Sequence, residues 1–131
     1  MCMPRSALSC RNIEVLLGWV REPPPVAQVA AGYFTIKNKG DTQASIERVE
    51  SSCCASVAMH QTKVSGDQAR MSHMDKLVVP GHTTTAFNPG EAHLMLIAPS
   101  SPLLHGGTVD IKFFCAQGDP LIVEFDVLTA R

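Results

Sequence analysis

The chain has 131 residues, 45% hydrophobic and 18% charged, which is enough for one core and one domain. Its formal net charge is −1, and Lys and Arg are scattered along it. That excludes the concentrated basic surface of a nucleic-acid binder. Apolar runs fall far short of the roughly 20 residues of a membrane helix, so a soluble domain without membrane insertion is expected.

Period-two alternation with closely spaced turn signals predicts an all-β sandwich or barrel. Ile13, Val15, Leu17 and Trp19 alternate in the first expected strand, and Pro23-Pro24-Pro25 end it because proline cannot donate to a sheet ladder. Ala30 to Asn38 follows with Phe34 and Ile36 on one face, then a turn at Lys39-Gly40-Asp41 and a weaker strand from Ala44 to Glu50. Ser56 to Thr62 turns through Ser65-Gly66-Asp67 into Ala69 to Met74. Leu77 to Val79, His82 to Phe87 and Ala92 to Ala98 are separated by Pro80-Gly81 and Asn88-Pro89-Gly90. After a loop over 100–107, two clear runs close the chain: Val109/Ile111/Phe113/Cys115 and Leu121/Val123/Phe125/Val127. No helix is expected. The folded domain is taken as 13–131, with 1–12 a poorly ordered leading segment.

The five cysteines (2, 10, 53, 54 and 115) contain no CxxC pair, so they do not fix a redox compartment. Cys115 alternates with buried-type residues and reads as a small core hydrophobe. Cys53-Cys54 is open between a packed turn, a disulfide to Cys115 and an auxiliary thiol near a metal. The first residues, Met1 to Ser6, show no basic segment followed by an apolar run, so no export signal is visible.

Four of the five histidines and four of the six methionines lie between residues 59 and 95. In Ala92 to Ala98, Leu94 and Leu96 take one face, and His93 and Met95 the other. The leucines are the natural core residues, so His93 and Met95 point outward together. In Ser56 to Thr62, Val57 and Met59 take the core face and His60 the outer one. Met71 follows Arg70 in a polar stretch, where a thioether has little packing role. Thioether sulfur is soft and neutral and suits copper(I) far better than zinc, magnesium or calcium. Two imidazoles add borderline donors, and the absence of carboxylate and thiolate favours a monovalent ion. A structural zinc site would need closely paired Cys/His spacings, which are absent.

The spacing His60, ten residues, Met71, twenty-one residues, His93, one residue, Met95 resembles the H-x10-M-x21-H-x-M signature of the periplasmic copper chaperones called PCu(A)C. Gly18-Trp19-Val20-Arg21, the segment Ala31 to Gly40 (an A-x-Y-x-x-I-x-N-x-G pattern) and Pro89-Gly90-Glu91-Ala92-His93-Leu94-Met95-Leu96 are similar to further segments of that family. The resemblance implies a cupredoxin-like Greek-key β-sandwich holding one copper(I) per chain at His60, Met71, His93 and Met95. It also implies a periplasmic or exported protein that hands copper to an acceptor, an oxidase subunit or its assembly factor, during assembly of cytochrome c oxidase. Met59, His73 and Met74 lie near enough in sequence to offer alternative ligands, with a spacing that fits less well.

Three other readings compete. A blue-copper electron carrier needs a thiolate beside two histidines, and neither Cys53-Cys54 nor Cys115 is suitably placed. No Ser/His/Asp, Cys/His or paired-acid arrangement points to catalytic residues or an enzyme. A plain interaction module is what a β-sandwich implies by itself, and the four-ligand spacing argues against it.

Overall fold

The computed structural model describes residues 10–129. Ten strands make up its regular structure: β1 (Ile13–Arg21), β2 (Val29–Asn38), β3 (Ala44–Glu50), β4 (Cys54–Ser65), β5 (Gln68–Met74), β6 (Leu77–Val79), β7 (Thr84–Phe87), β8 (Ala92–Pro99), β9 (Thr108–Cys115) and β10 (Leu121–Leu128). The all-β class follows the alternation as expected. The strands pair in the order β5-β4-β8-β2-β1-β10-β9-β3-β6, and a further β3–β4 pairing at Val49 and Val57 joins the two ends of the central path. The sandwich is therefore closed into a barrel-like ring of seven strands. β5 and β6 flank it, and β7 pairs with β2. Among the pairings, β1 with β10 is parallel and the others are antiparallel.

Inward-facing residues fill the ring. Phe34, Phe87, Phe113 and Phe125 are buried, with Phe34 at 4.5 Å from Phe87 and 5.3 Å from Phe113 between ring centroids. These tilted and edge contacts add to the area term, which for a fully buried large apolar side chain is roughly 1.5–3 kcal/mol. Leu94 and Leu96 of β8 are fully buried against this cluster. Asn38 is the one fully buried polar side chain among the described residues, and its polar atoms are all satisfied. Nδ2 donates to the carbonyls of Thr42 and Val79, each at 2.9 Å, and Oδ1 accepts from the Gly40 amide at 2.9 Å. Asn38 thus ties the β2–β3 turn to β6.

The structure departs from the sequence expectation at four places. Neither Leu17 nor Trp19 shares the core face of Ile13 and Val15. The φ of Leu17 is +56°, its side chain is 65% exposed, and the β1–β2 register shifts between Leu16 and Trp19. A β-bulge takes up the extra residue and reverses the phase of the strand, so Val20 joins the core while Trp19 packs on the other face against Tyr33, 5.1 Å between ring centroids, with Arg21 stacked 5.4 Å over its ring. The seventh strand begins at Thr84 instead of His82, because His82 (φ +57°) still belongs to the turn and bonds Asp41 at 2.7 Å.

Cys115 is not a free core thiol: it forms a disulfide with Cys10, and Cys53 pairs with Cys54. This also removes a bridge between Cys115 and the Cys53-Cys54 pair. Cys10 is buried, so the fold extends upstream of residue 13. The rest of the expected leading segment, including Cys2, lies outside the described residues.

Candidate metal centre

β8 is paired on both sides, to β2 and to β4, and alternates cleanly. Leu94 and Leu96 point inward, while His93 and Met95 are half-buried on the outer face. β4 runs antiparallel beside it with His60 directly opposite His93 and Ala58 opposite Met95. Directly opposed residues share a face. His60, His93 and Met95 therefore stand together on the outside of the barrel, and the small Ala58 leaves room over Met95. The His60 and His93 rings are 5.7 Å apart between centroids.

Met71 is carried by β5, the strand that extends β4 away from the ring. It faces Thr62, two residues beyond His60, so it lies on the same surface and diagonal to His60. Ideal strand spacings put its Cα roughly 16 Å from that of Met95 across two strands. Met71 is 58% exposed. The structure thus brings three of the four expected residues together and holds the fourth at the far corner of the same face, on an edge hairpin.

Of the sequence neighbours that could substitute, Met59 and Met74 oppose one another but turn inward. Met59 is buried and Met74 packs against the core. His73 is different. It lies opposite His60 on the side away from His93, with a ring-centroid separation of 5.7 Å. The turn could have revealed this from sequence: Gly66-Asp67 is a two-residue hairpin loop with Gly66 at φ +62°, as a type II′ turn requires. It fixes Ser65 opposite Gln68 and hence His60 opposite His73.

The electrostatics suit a site that waits for a cation. Burial first, and the neighbouring His60 second, lower the pKa of His93 below the ordinary imidazole value. His93 is therefore held as a neutral donor. The Nδ1 of His60 is buried without a hydrogen-bond partner, a cost of about 1–3 kcal/mol that coordination or a bound water would remove. Among the described residues no group of three His, Cys, Asp or Glu is poised to hold a metal ion, so a soft site here depends on the thioethers. All four described cysteines are in disulfides, which leaves no thiolate among them for a blue-copper centre. A cleft of about 310 Å³ lined by Arg21, Pro23, Pro24, Val29 and Ala31 opens beside His93 and Met95.

The ring of strands with a His/Met outer face has the fold of PCuAC domains. It is similar to the structure titled copper-bound PCuAC domain from PmoF2, at a TM-score of 0.75 with 19% identity over 92% of this chain and 94% of that one. It is also similar to the solution structure of CuI-DR1885 from Deinococcus radiodurans, at a TM-score of 0.73 with 26% identity over 95% and 83% of the two chains. The family described as "Putative lipoprotein LpqE-like" matches residues 13–127, and the chain belongs to this LpqE-like family. Among curated proteins it is similar to "Putative lipoprotein Lxx21020" of Leifsonia xyli subsp. xyli, 23% identical over 108 residues and covering 82% of this chain. The match spans 64% of that relative's length. No helix of the described residues is long and apolar enough to cross a membrane.

Proposed function

We propose that the chain is a copper(I) metallochaperone that binds one ion with His60, Met71, His93 and Met95 and passes it to an acceptor protein. The observation that carries this reading is the direct opposition of His60 and His93, with Met95 two residues along on the same outer face. The fold likeness to a copper-bound domain and to a CuI-loaded protein supports it. So does the donor chemistry, since two thioethers and two neutral imidazoles favour copper(I) over harder or divalent ions.

The residues divide the work. His60, His93 and Met95 sit on ring strands and form the fixed part of the site. Met71, on the exposed edge hairpin, closes over the ion when β5 curls toward β8. Because that ligand is the most exposed, an acceptor's donor atoms would displace it first, and the others would follow one at a time. A transferable ion needs this kind of stepwise exchange. Carriage, not catalysis, is the role, and the acceptor we propose is an oxidase copper subunit or its assembly factor. The lipoprotein descriptions of the family and the curated relative support an exported protein. X-ray absorption on the copper(I)-loaded protein tests the ligand set. Two sulfur and two nitrogen or oxygen donors are expected, and a first shell without sulfur would contradict it.

A further inference from the structure

The two disulfides among the described residues differ in what they do for the fold. Cys10–Cys115 joins residues 105 apart in sequence, and Cys10 is buried. Such a bond stabilises a protein by shrinking the ensemble of unfolded chains, an effect that grows with the loop it closes. Cys53–Cys54 joins neighbours, so it closes no loop and has almost no such effect. We infer that the Cys53–Cys54 bridge is a thiol–disulfide exchange site that accepts two electrons from a dithiol. The inference stands apart from the copper reading. Cys54 heads β4, and His60 lies roughly 20 Å further along the extended strand, so the bridge does not touch an ion held there.

The position of the bridge favours exchange. It lies where the β3–β4 connection enters β4. Both cysteines are half-buried with one side against the core, and Ser52, Ala55 and Ser56 around them are exposed. Exchange needs an approach to one of the two sulfurs, and bridges open to solvent are the labile ones.

The backbone around the pair is held by bonds that use no sulfur atom. The Cys53 carbonyl accepts from the Ser100 amide at 2.9 Å and from the Ser100 hydroxyl at 3.1 Å. The Cys53 amide donates to Ser51 Oγ at 3.2 Å, and the Ser52 amide and hydroxyl both donate to the Asp110 carboxylate. Cys54 is in register with Pro99 of β8. These contacts keep the two thiols side by side when the bridge is open, so the reduced pair recloses once a disulfide oxidant accepts its electrons.

Adjacency also selects the reductant. A thiolate attacks one cysteine sulfur, the S–S bond breaks, and the other cysteine leaves as a thiolate that takes up a proton. With a monothiol, this neighbouring cysteine attacks the mixed disulfide, expels the reagent and restores the bridge. With a dithiol, the reagent's second thiolate attacks the reagent's own sulfur in the mixed disulfide. That step closes the reagent's disulfide and releases the first cysteine, which takes the second proton. The dithiol is oxidised and the Cys53–Cys54 pair reduced. A small dithiol and a Cys-x-x-Cys protein share this chemistry.

The test treats the whole folded chain with dithiothreitol, reduced thioredoxin or glutathione at matched thiol concentration, then alkylates it and maps the modified peptides by mass. With a dithiol, Cys53 and Cys54 should be alkylated together at least tenfold faster than Cys10 and Cys115, and glutathione should be at least tenfold slower than dithiothreitol. Thioredoxin ahead of dithiothreitol assigns a protein reductant, and the reverse order a small one. Glutathione disulfide should restore the bridge. The Cys53→Ser/Cys54→Ser variant should melt within about 2 °C of the wild type, since no loop is lost. A bridge reduced no faster than Cys10–Cys115 would overturn the inference. So would a variant that melts far below the wild type, which marks a structural staple, or alkylation of Cys53 and Cys54 without any reductant.

Discussion

His60 and His93 face each other across the β4–β8 pair with their rings 5.7 Å apart, on the side of the barrel opposite to Leu94 and Leu96. The pairing is a consequence of core packing. Once the two leucines commit to the interior, the alternating His93 and Met95 have to point out, and the β4 register brings a second histidine beside His93. The preformed part of the site is therefore as rigid as the ring strands that carry it, while Met71 and His73 belong to a hairpin with a free edge.

Copper(I) affinity should depend on pH in a defined direction. The His93 pKa lies below its ordinary value of 6.5 because of burial and the adjacent His60. Protons therefore compete at His93 only below that value. Affinity should change little from pH 8 to 7 and fall as the pH drops further into the acid range. The apo-fold should also lose stability below pH 6.5, since the unfolded chain takes up the His93 proton more readily than the folded one. Competition titrations at pH 7 and 5 check the first expectation; equal affinities would exclude histidine ligation.

Asn38→Leu should destabilise the fold by about 3 kcal/mol. The substitution leaves the Thr42 and Val79 carbonyls and the Gly40 amide without their partner in a buried position, and each unsatisfied group costs about 1–3 kcal/mol. Urea unfolding should show a lower midpoint with an unchanged slope. An unchanged midpoint would mean that water or rearranged backbone replaces the side chain.

Gly18→Ala should cost about 1–3 kcal/mol by overpacking. A Cβ at that position would stand 2.6 Å from the Phe125 ring, and Phe125 is fully buried and cannot yield. The neighbouring Leu17→Gly change should do the opposite and stabilise by about 1 kcal/mol, because it relieves a left-handed conformation in an exposed residue. Thermal unfolding of the two variants separates them by sign.

The strands that were legible in the sequence are those whose two faces differ. In β8 the Leu94/Leu96 and His93/Met95 pairs reveal both the alternation and the outward direction of the site residues. In β9 and β10 the inward phase is equally plain. The Leu17 bulge was not legible, because it brings Gly18 against the Phe125 ring of β10, a contact more than a hundred residues away in sequence. Cys10–Cys115, with a separation of 105 residues, was hidden for the same reason. Cysteine spacing does not reveal which partners the topology brings together.

The site was legible to the same degree. His60, His93 and Met95 follow from face assignment. Met71 follows only from spacing, and its distance from Met95 reflects its place on an edge hairpin. His73 could have been placed from the two-residue turn at Gly66-Asp67, whose register sets it opposite His60.

The central claim is that thioethers on this face hold copper(I). The most direct measurement is a copper(I) competition titration comparing the wild type with the Met71→Leu/Met95→Leu variant. Met-to-Leu exchanges usually cost less than about 1.5 kcal/mol even in packed sites, and Met71 is exposed and Met95 half-buried, so the variant should fold. The account predicts one tightly bound copper(I) per wild-type chain and a loss of affinity of at least a hundredfold in the variant. A folded variant that binds copper(I) as tightly as the wild type would contradict it.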